Sequence, residues 1–451
     1  MSVKLTLLLP AEAHAHVSEQ GFVLLLPTEA YSTAGVAAVA LTVLALFALP
    51  GSVIHALFRA KNFRGPDLET ARSFTSLISL LLLGGLLAIG LFGPRDPLSN
   101  LMPLFFWTLG WVGLVSLAGL FGDLGRWIEP WTGLYRLLGR VRPPIALPET
   151  LGVWPAVLLL VGFAAFLLAD IAPDDPARLA WRVGIYWFVT MAGLILCGPA
   201  WLRQVELGSV ILRTYAGLAA LRLRPDGGIG TPGWRLLERP ASLSVGIFAL
   251  TLLAVGSFDG INETFWWLAL IGINPLEFPG RSAVVWPTLL GLIAAILTLI
   301  AAFALTVWLG LLLTRSERDV RETFGRLAPS MLPIAFAYHI AHYLTSFLVT
   351  IQHTVAALSD PFATGADLLG IHPFYVTTGF FNHIDSVRLI WLTQAGVVVL
   401  GHVWSVLLAH RIALDLFPGH RRAALATAPL SLFMIAYTML GLWLLATPKG
   451  A

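Results

Sequence analysis

Apolar residues along this chain come in long runs, with polar and charged residues gathered in the gaps between them. Ten runs are long enough to cross a bilayer: 33–57, 73–92, 103–121, 153–171, 180–200, 241–257, 283–314, 331–357, 387–410 and 428–446. A spanning helix needs about 20 apolar residues to cross a hydrocarbon layer of about 30 Å. The pattern predicts an all-α fold, a polytopic transmembrane helical bundle of about ten spans. It divides the chain into an N-terminal segment (1–32), one transmembrane domain (33–446) and a short tail (447–451).

Charge gives the bundle a direction. Only 12% of the residues are charged, about half the share of a soluble domain. The gaps at 58–72, 122–150, 201–240, 315–328 and 411–427 hold 21 of the 28 Lys and Arg residues. The positive-inside rule places those gaps in the cytoplasm and both termini outside, in the periplasm if the host is bacterial, with the chain in the inner membrane. The basic residues are spread over short loops and form no basic domain, which argues against a nucleic-acid partner. The expected partner is the lipid bilayer. A single cysteine, Cys197, excludes an intrachain disulfide framework and a Cys-based zinc site.

The start of the chain, "MSVKLTLLLPAEAHAHVSEQGF", carries Lys4, a short apolar run and an Ala-x-Ala pattern. These predict a candidate signal peptide over 1–13. Cleavage after Ala13 would expose the amine of His14 two residues before His16, a good copper chelate. The longest cytoplasmic gap contains "QVELGSVILRTYAGLAALRLRP". Its spacing predicts an amphipathic helix at the interface, and "RPDGGIGTPGW" behind it predicts a flexible turn.

The candidate chemistry lies inside the membrane. "AYHIAHYLTSFLVTIQH" (337–353) sets His339, His342, Ser346, Thr350 and His353 on one helical stripe, with Gln352 beside it. Lipid satisfies none of these groups, so the stripe must face protein or water. The next run, "WLTQAGVVVLGHVWSVLLAH", carries Gln394, His402, Ser405 and His410. At 1.5 Å per residue, His342 lies roughly 16 Å into its span and His402 about 22 Å into the antiparallel neighbour, both near the midplane. Gly396 and Gly401 would let the two helices approach closely.

Three readings of these histidines stand open. They can be hydrogen-bond glue between helices. They can hold a metal, with His339, His342 and His402 as ligands and His410 as a fourth candidate; a divalent or copper ion suits them, and a b-type haem is a variant. They can form a proton or ion path that includes Ser346, Thr350, Gln352, Gln394 and Ser405. On the outer surface, Asp259, Glu263 and further acidic residues gather with His353 and His383. These offer an outer metal site together with His14 and His16, or simply a solvated acidic face.

"AYHIAHYLTSFL" followed by "QAGVVVLGHVWSVLLAHRIAL" resembles a family of bacterial integral membrane proteins labelled fenitrothion hydrolase-like. "PWTGLYRLLGRVRPPIALPETLGVWPAVLLL", "LRQVELGSVILRTYAGLAALRL" and "SFDGINETFWW" agree in order and spacing, and the resemblance covers about 35 to 446. It implies a membrane-bound hydrolase of organophosphate triesters, working with a second related membrane subunit. It marks His339, His342, His402 and His410 as the positions matching the family's motifs, without a catalytic assignment. A metal would polarise a phosphoryl oxygen and activate water for such a reaction. A copper- or metal-handling transporter, served by a periplasmic metal protein, or a proton-coupled transporter would use the same residues without chemistry.

Overall fold

The computed structural model describes residues 21–139, 143–222, 224–238, 242–277 and 280–449. Ten helices in it are long and apolar enough to cross a membrane. They are α1 (Thr28–Ala48), α2 (Glu69–Phe92), α3 (Leu101–Phe121), α4 (Trp154–Ala169), α5 (Pro176–Cys197), α6 (Leu243–Asn262), α7 (Arg281–Leu313), α8 (Leu332–Ser359), α9 (Ile384–Leu416) and α10 (His420–Ala446). The chain is a multi-pass membrane protein.

The ends of these helices follow local chemistry. The first run was expected to continue to 57. Instead α1 stops at Ala48, because Pro50 cannot continue the ladder and holds the residue before it extended; a separate short helix follows over Gly51–Leu57. α5 begins at Pro176, with the Asp175 side chain accepting from the Arg178 amide. α6 runs on through Asp259 to Asn262, five residues past its expected end.

α6 is the innermost helix, and 78% of its most apolar window is buried. A helix that is apolar all round can be satisfied on every side only inside a bundle. It packs on α4, α7 and α8, while α8 packs along α9, and α9 along α10 and α1. α2 and α5 pair at the periphery.

The connecting loops sort to two ends. At one end a three-stranded antiparallel sheet joins β1 (Lys61–Phe63), β3 (Gly227–Ile229) and β2 (Leu221–Arg222) in the order β1-β3-β2. The stretch expected as a flexible turn thus forms a hairpin. Asp123 pairs there with Arg224 at 2.7 Å and Arg235 at 3.2 Å, and Arg422 donates to the Thr314 carbonyl at 3.0 Å. The gaps at 58–72, 122–150 and 201–240 therefore share this end, and Trp404 of α9 reaches it by donating to the Pro232 carbonyl at 2.7 Å. At the other end Lys449 lies 3.7 Å from Glu263, and Arg281 donates to the Leu167 carbonyl.

The amphipathic segment does not lie on the bilayer surface. Its helix, Leu207–Ala216, buries Leu207, Val210, Ile211 and Tyr215 against the end of α3 and its neighbours. Its apolar face finds protein rather than lipid.

Candidate site at the α6–α8 contact

α8 brings His342 and Tyr343 against α6 at Asp259. Asp259 is 6% exposed. Its Oδ2 accepts from the Tyr343 hydroxyl at 2.6 Å and stands 3.0 Å from His342 Nε2. A carboxylate only accepts, so His342 Nε2 carries a hydrogen toward Asp259. The reading of Asp259 as part of an acidic outer loop is corrected here: α6 outlasts its expected end and carries the carboxylate into the bundle. Glu263, one turn further, is exposed and faces Lys449.

Two small cavities, each about 20 Å³, border His342. One is lined by Gly260, Tyr338, Gly441 and Lys449, toward the end where the C-terminal tail crosses α6. The other is lined by Tyr338, His339, Tyr343, Trp111 and Tyr215. Each has room for roughly one water. His342 thus stands between two water-sized spaces with Asp259 behind it.

The second cavity depends on an unusual element. Residues Leu104–Leu114 of α3 form a π-helix; wide turns of this kind are rare and recur at functional sites. They carry Trp111 edge-on to His339, with ring centroids 5.2 Å apart. Tyr215, from the buried amphipathic helix, closes the other side at 6.2 Å from His339. His339 is 6% exposed, and its Nε2 has no hydrogen-bond partner.

The remaining candidates go elsewhere. His402 is fully buried; its Nδ1 donates to the Val398 carbonyl of its own helix at 2.8 Å, its Nε2 has no hydrogen-bond partner, and its ring lies 6.3 Å from the Tyr437 ring. His410 packs against His420, which sequence reading passed over. Gln394 crosses to the Ala341 carbonyl at 2.8 Å, an interhelical bond of the expected kind. Ser405 is buried and unpaired. Ser346 is exposed, and Thr350 returns its hydroxyl to the Ser346 carbonyl. Gln352 ties down Thr377 of the following loop. His353 is partly buried, and His383 is exposed at the start of α9. His14 and His16 lie outside the described residues.

Among the described residues, no three His, Cys, Asp or Glu side chains stand together in a group able to hold a metal. The expected convergence of His339, His342, His402 and His410 is not what the packing produces. Matching depth brings two residues to one height; it does not turn them toward each other. α8 turns His342 to α6, and α9 turns His402 to α10. Tyr343, Trp111, Tyr215, Tyr338 and Lys449 complete the site that does form. Of these, only Tyr338 and Tyr343 carried a signal in the sequence, as the immediate neighbours of His339 and His342.

Comparison with known proteins finds no matching family model, no matching curated protein and no matching solved structure.

Proposed function

We propose that this chain is a proton-handling membrane protein, a proton-coupled transporter in which the Asp259–His342 pair takes up and releases the proton. The observation that carries the proposal is the buried contact of 3.0 Å between His342 Nε2 and Asp259 Oδ2, flanked by two water-sized cavities. Ionisable groups inside a membrane bundle are costly, and where they persist they mark ion and proton pathways. Asp259 fixes the ring and its tautomer, as a carboxylate does for any imidazole that must exchange a proton at its other nitrogen. Proton exchange at Nδ1 would leave the Nε2–Asp259 contact in place. The charge topology supports the reading: with the arginine-rich end in the cytoplasm and both termini outside, the cavity lined by Lys449 lies nearer the outer face.

The test is proton flux into proteoliposomes under an imposed potential, followed with an internal pH dye. The parent chain is expected to carry flux well above empty vesicles, and Asp259→Asn and His342→Ala to lower it at least tenfold. Equal flux in the parent and Asp259→Asn would overturn the proposal.

The same pair favours a second reading, the triester hydrolase of the family resemblance. An Asp-oriented imidazole beside a water-sized cavity is also the arrangement of a general base activating water. A cavity of about 20 Å³ admits water but no triester, so this reading requires the bundle to open toward lipid. Hydrolysis of a chromogenic triester in detergent, lost in Asp259→Asn, would favour it over transport.

A further inference from the structure

We infer that His410 and His420 form a two-imidazole site for a late first-row transition-metal ion, at the end of the bundle where α9 turns into α10. The inference is independent of the Asp259–His342 pair. His410 is 1% exposed, and neither of its ring nitrogens has a hydrogen-bond partner. His420, the first residue of α10, turns its ring to His410 with centroids 5.4 Å apart and planes at 80°. Its Nδ1 is also buried and unpartnered.

Three unpaired imidazole nitrogens therefore share one small volume. A buried polar nitrogen is ordinarily hydrogen-bonded, and each exception asks for an explanation. The fourth nitrogen supplies one. His420 Nε2 stands 3.3 Å from the Phe47 carbonyl at the end of α1. A carbonyl only accepts, so Nε2 carries the hydrogen and the buried, unpartnered Nδ1 is left as the ring's donor atom for an ion. Metal-ligating histidines are held in this way, with the second ring N–H given to a backbone carbonyl. Two imidazoles sharing an ion at about 2.1 Å from each nitrogen have centroids roughly 5–6 Å apart, as these rings do.

Imidazole without thiolate suits copper, zinc and nickel. Two protein ligands leave coordination positions open, so the site fits an ion that is passed on rather than one locked in place. The N-terminus of α10 adds partial positive charge beside His420, which opposes retention of the cation and points the same way.

The experiment uses the full chain with His14→Ala and His16→Ala, so that the start of the chain cannot compete. After chelator treatment in detergent, Cu²⁺ and then Zn²⁺ are titrated against it. One ion per chain is expected, with nitrogen hyperfine structure from two imidazoles in the Cu²⁺ spectrum. His410→Ala and His420→Ala should each weaken binding at least tenfold. His420 is only partly buried, so His420→Ala carries the test if His410→Ala fails to fold. A parent chain that binds no ion, or full stoichiometric binding in His420→Ala, would overturn the inference and leave the two rings as a packing pair.

Discussion

Asp259, His342 and Tyr343 are worth more together than singly. The Tyr343 hydroxyl donates to a buried carboxylate at 2.6 Å, and a hydrogen bond to a charged group contributes about 1.5–3 kcal/mol. Tyr343→Phe is expected to destabilise the chain by roughly that amount in chemical unfolding, by leaving Asp259 with one donor fewer. Its effect should shrink in the Asp259→Asn background, because the charged acceptor is already gone. Additive effects in the double variant would show that the hydroxyl does not act on the carboxylate. The sequence set His342 inside a span and Asp259 in an outer loop for one reason. A histidine within an apolar run contrasts with its surroundings, whereas an aspartate three residues before Asn262 and five before Thr264 blends into what reads as a loop. The helix end decides between loop and core, and helix ends are the least legible feature of a chain.

At the scale of the element, the α8–α9 contact was readable and its consequence was not. The pairing of these helices and the role of Gly401 emerge as expected. A Cβ at Gly401 would stand 2.4 Å from Ala337 Cβ and 2.8 Å from the Pro333 carbonyl, whereas a Cβ at Gly396 meets nothing within 4 Å. Gly401→Ala is therefore expected to cost about 1–3 kcal/mol in unfolding by forcing the helices apart. Gly396→Ala should be neutral or slightly stabilising, since alanine is the better helix former. Similar losses at the two positions would contradict the packing. The loop after α8 makes its own case. Hydrogen bonds from the Ile371 amide, Ser359 and the His372 amide hold the Asp367 carboxyl below the usual aspartate range. Its caps are present above the ordinary aspartate pKa of about 3.9 and are lost as pH falls through the lower value in the folded chain. Protection of the Ile371 amide from exchange should disappear in that acid window, and at neutral pH in Asp367→Ala. Protection unchanged in Asp367→Ala would remove Asp367 as the source of the loop's order.

For the whole molecule, the count of ten spans was legible because hydrocarbon thickness imposes a length that composition alone reveals. The β1-β3-β2 sheet was not, because strands of two or three residues with two glycines leave no alternation to read. The rotation of each helix about its axis was equally hidden, which is why a depth argument joined His342 to His402 and the packing did not. The sorting of loops offers a firmer global test. The sheet and the Asp123–Arg224 pair bind separate arginine-rich gaps to one another, and Lys449 meets Glu263 at the far end. The two ends are thus fixed relative to each other by contacts, while the arginine count gives their orientation in the membrane. A reporter active only in the periplasm, fused to the C-terminus, is expected to be active, and one inserted within 226–234 silent. Both fusions reporting the same side would break the contact-based sorting itself. Both reversed would keep the fold and turn it over, leaving the Lys449 cavity nearer the cytoplasm.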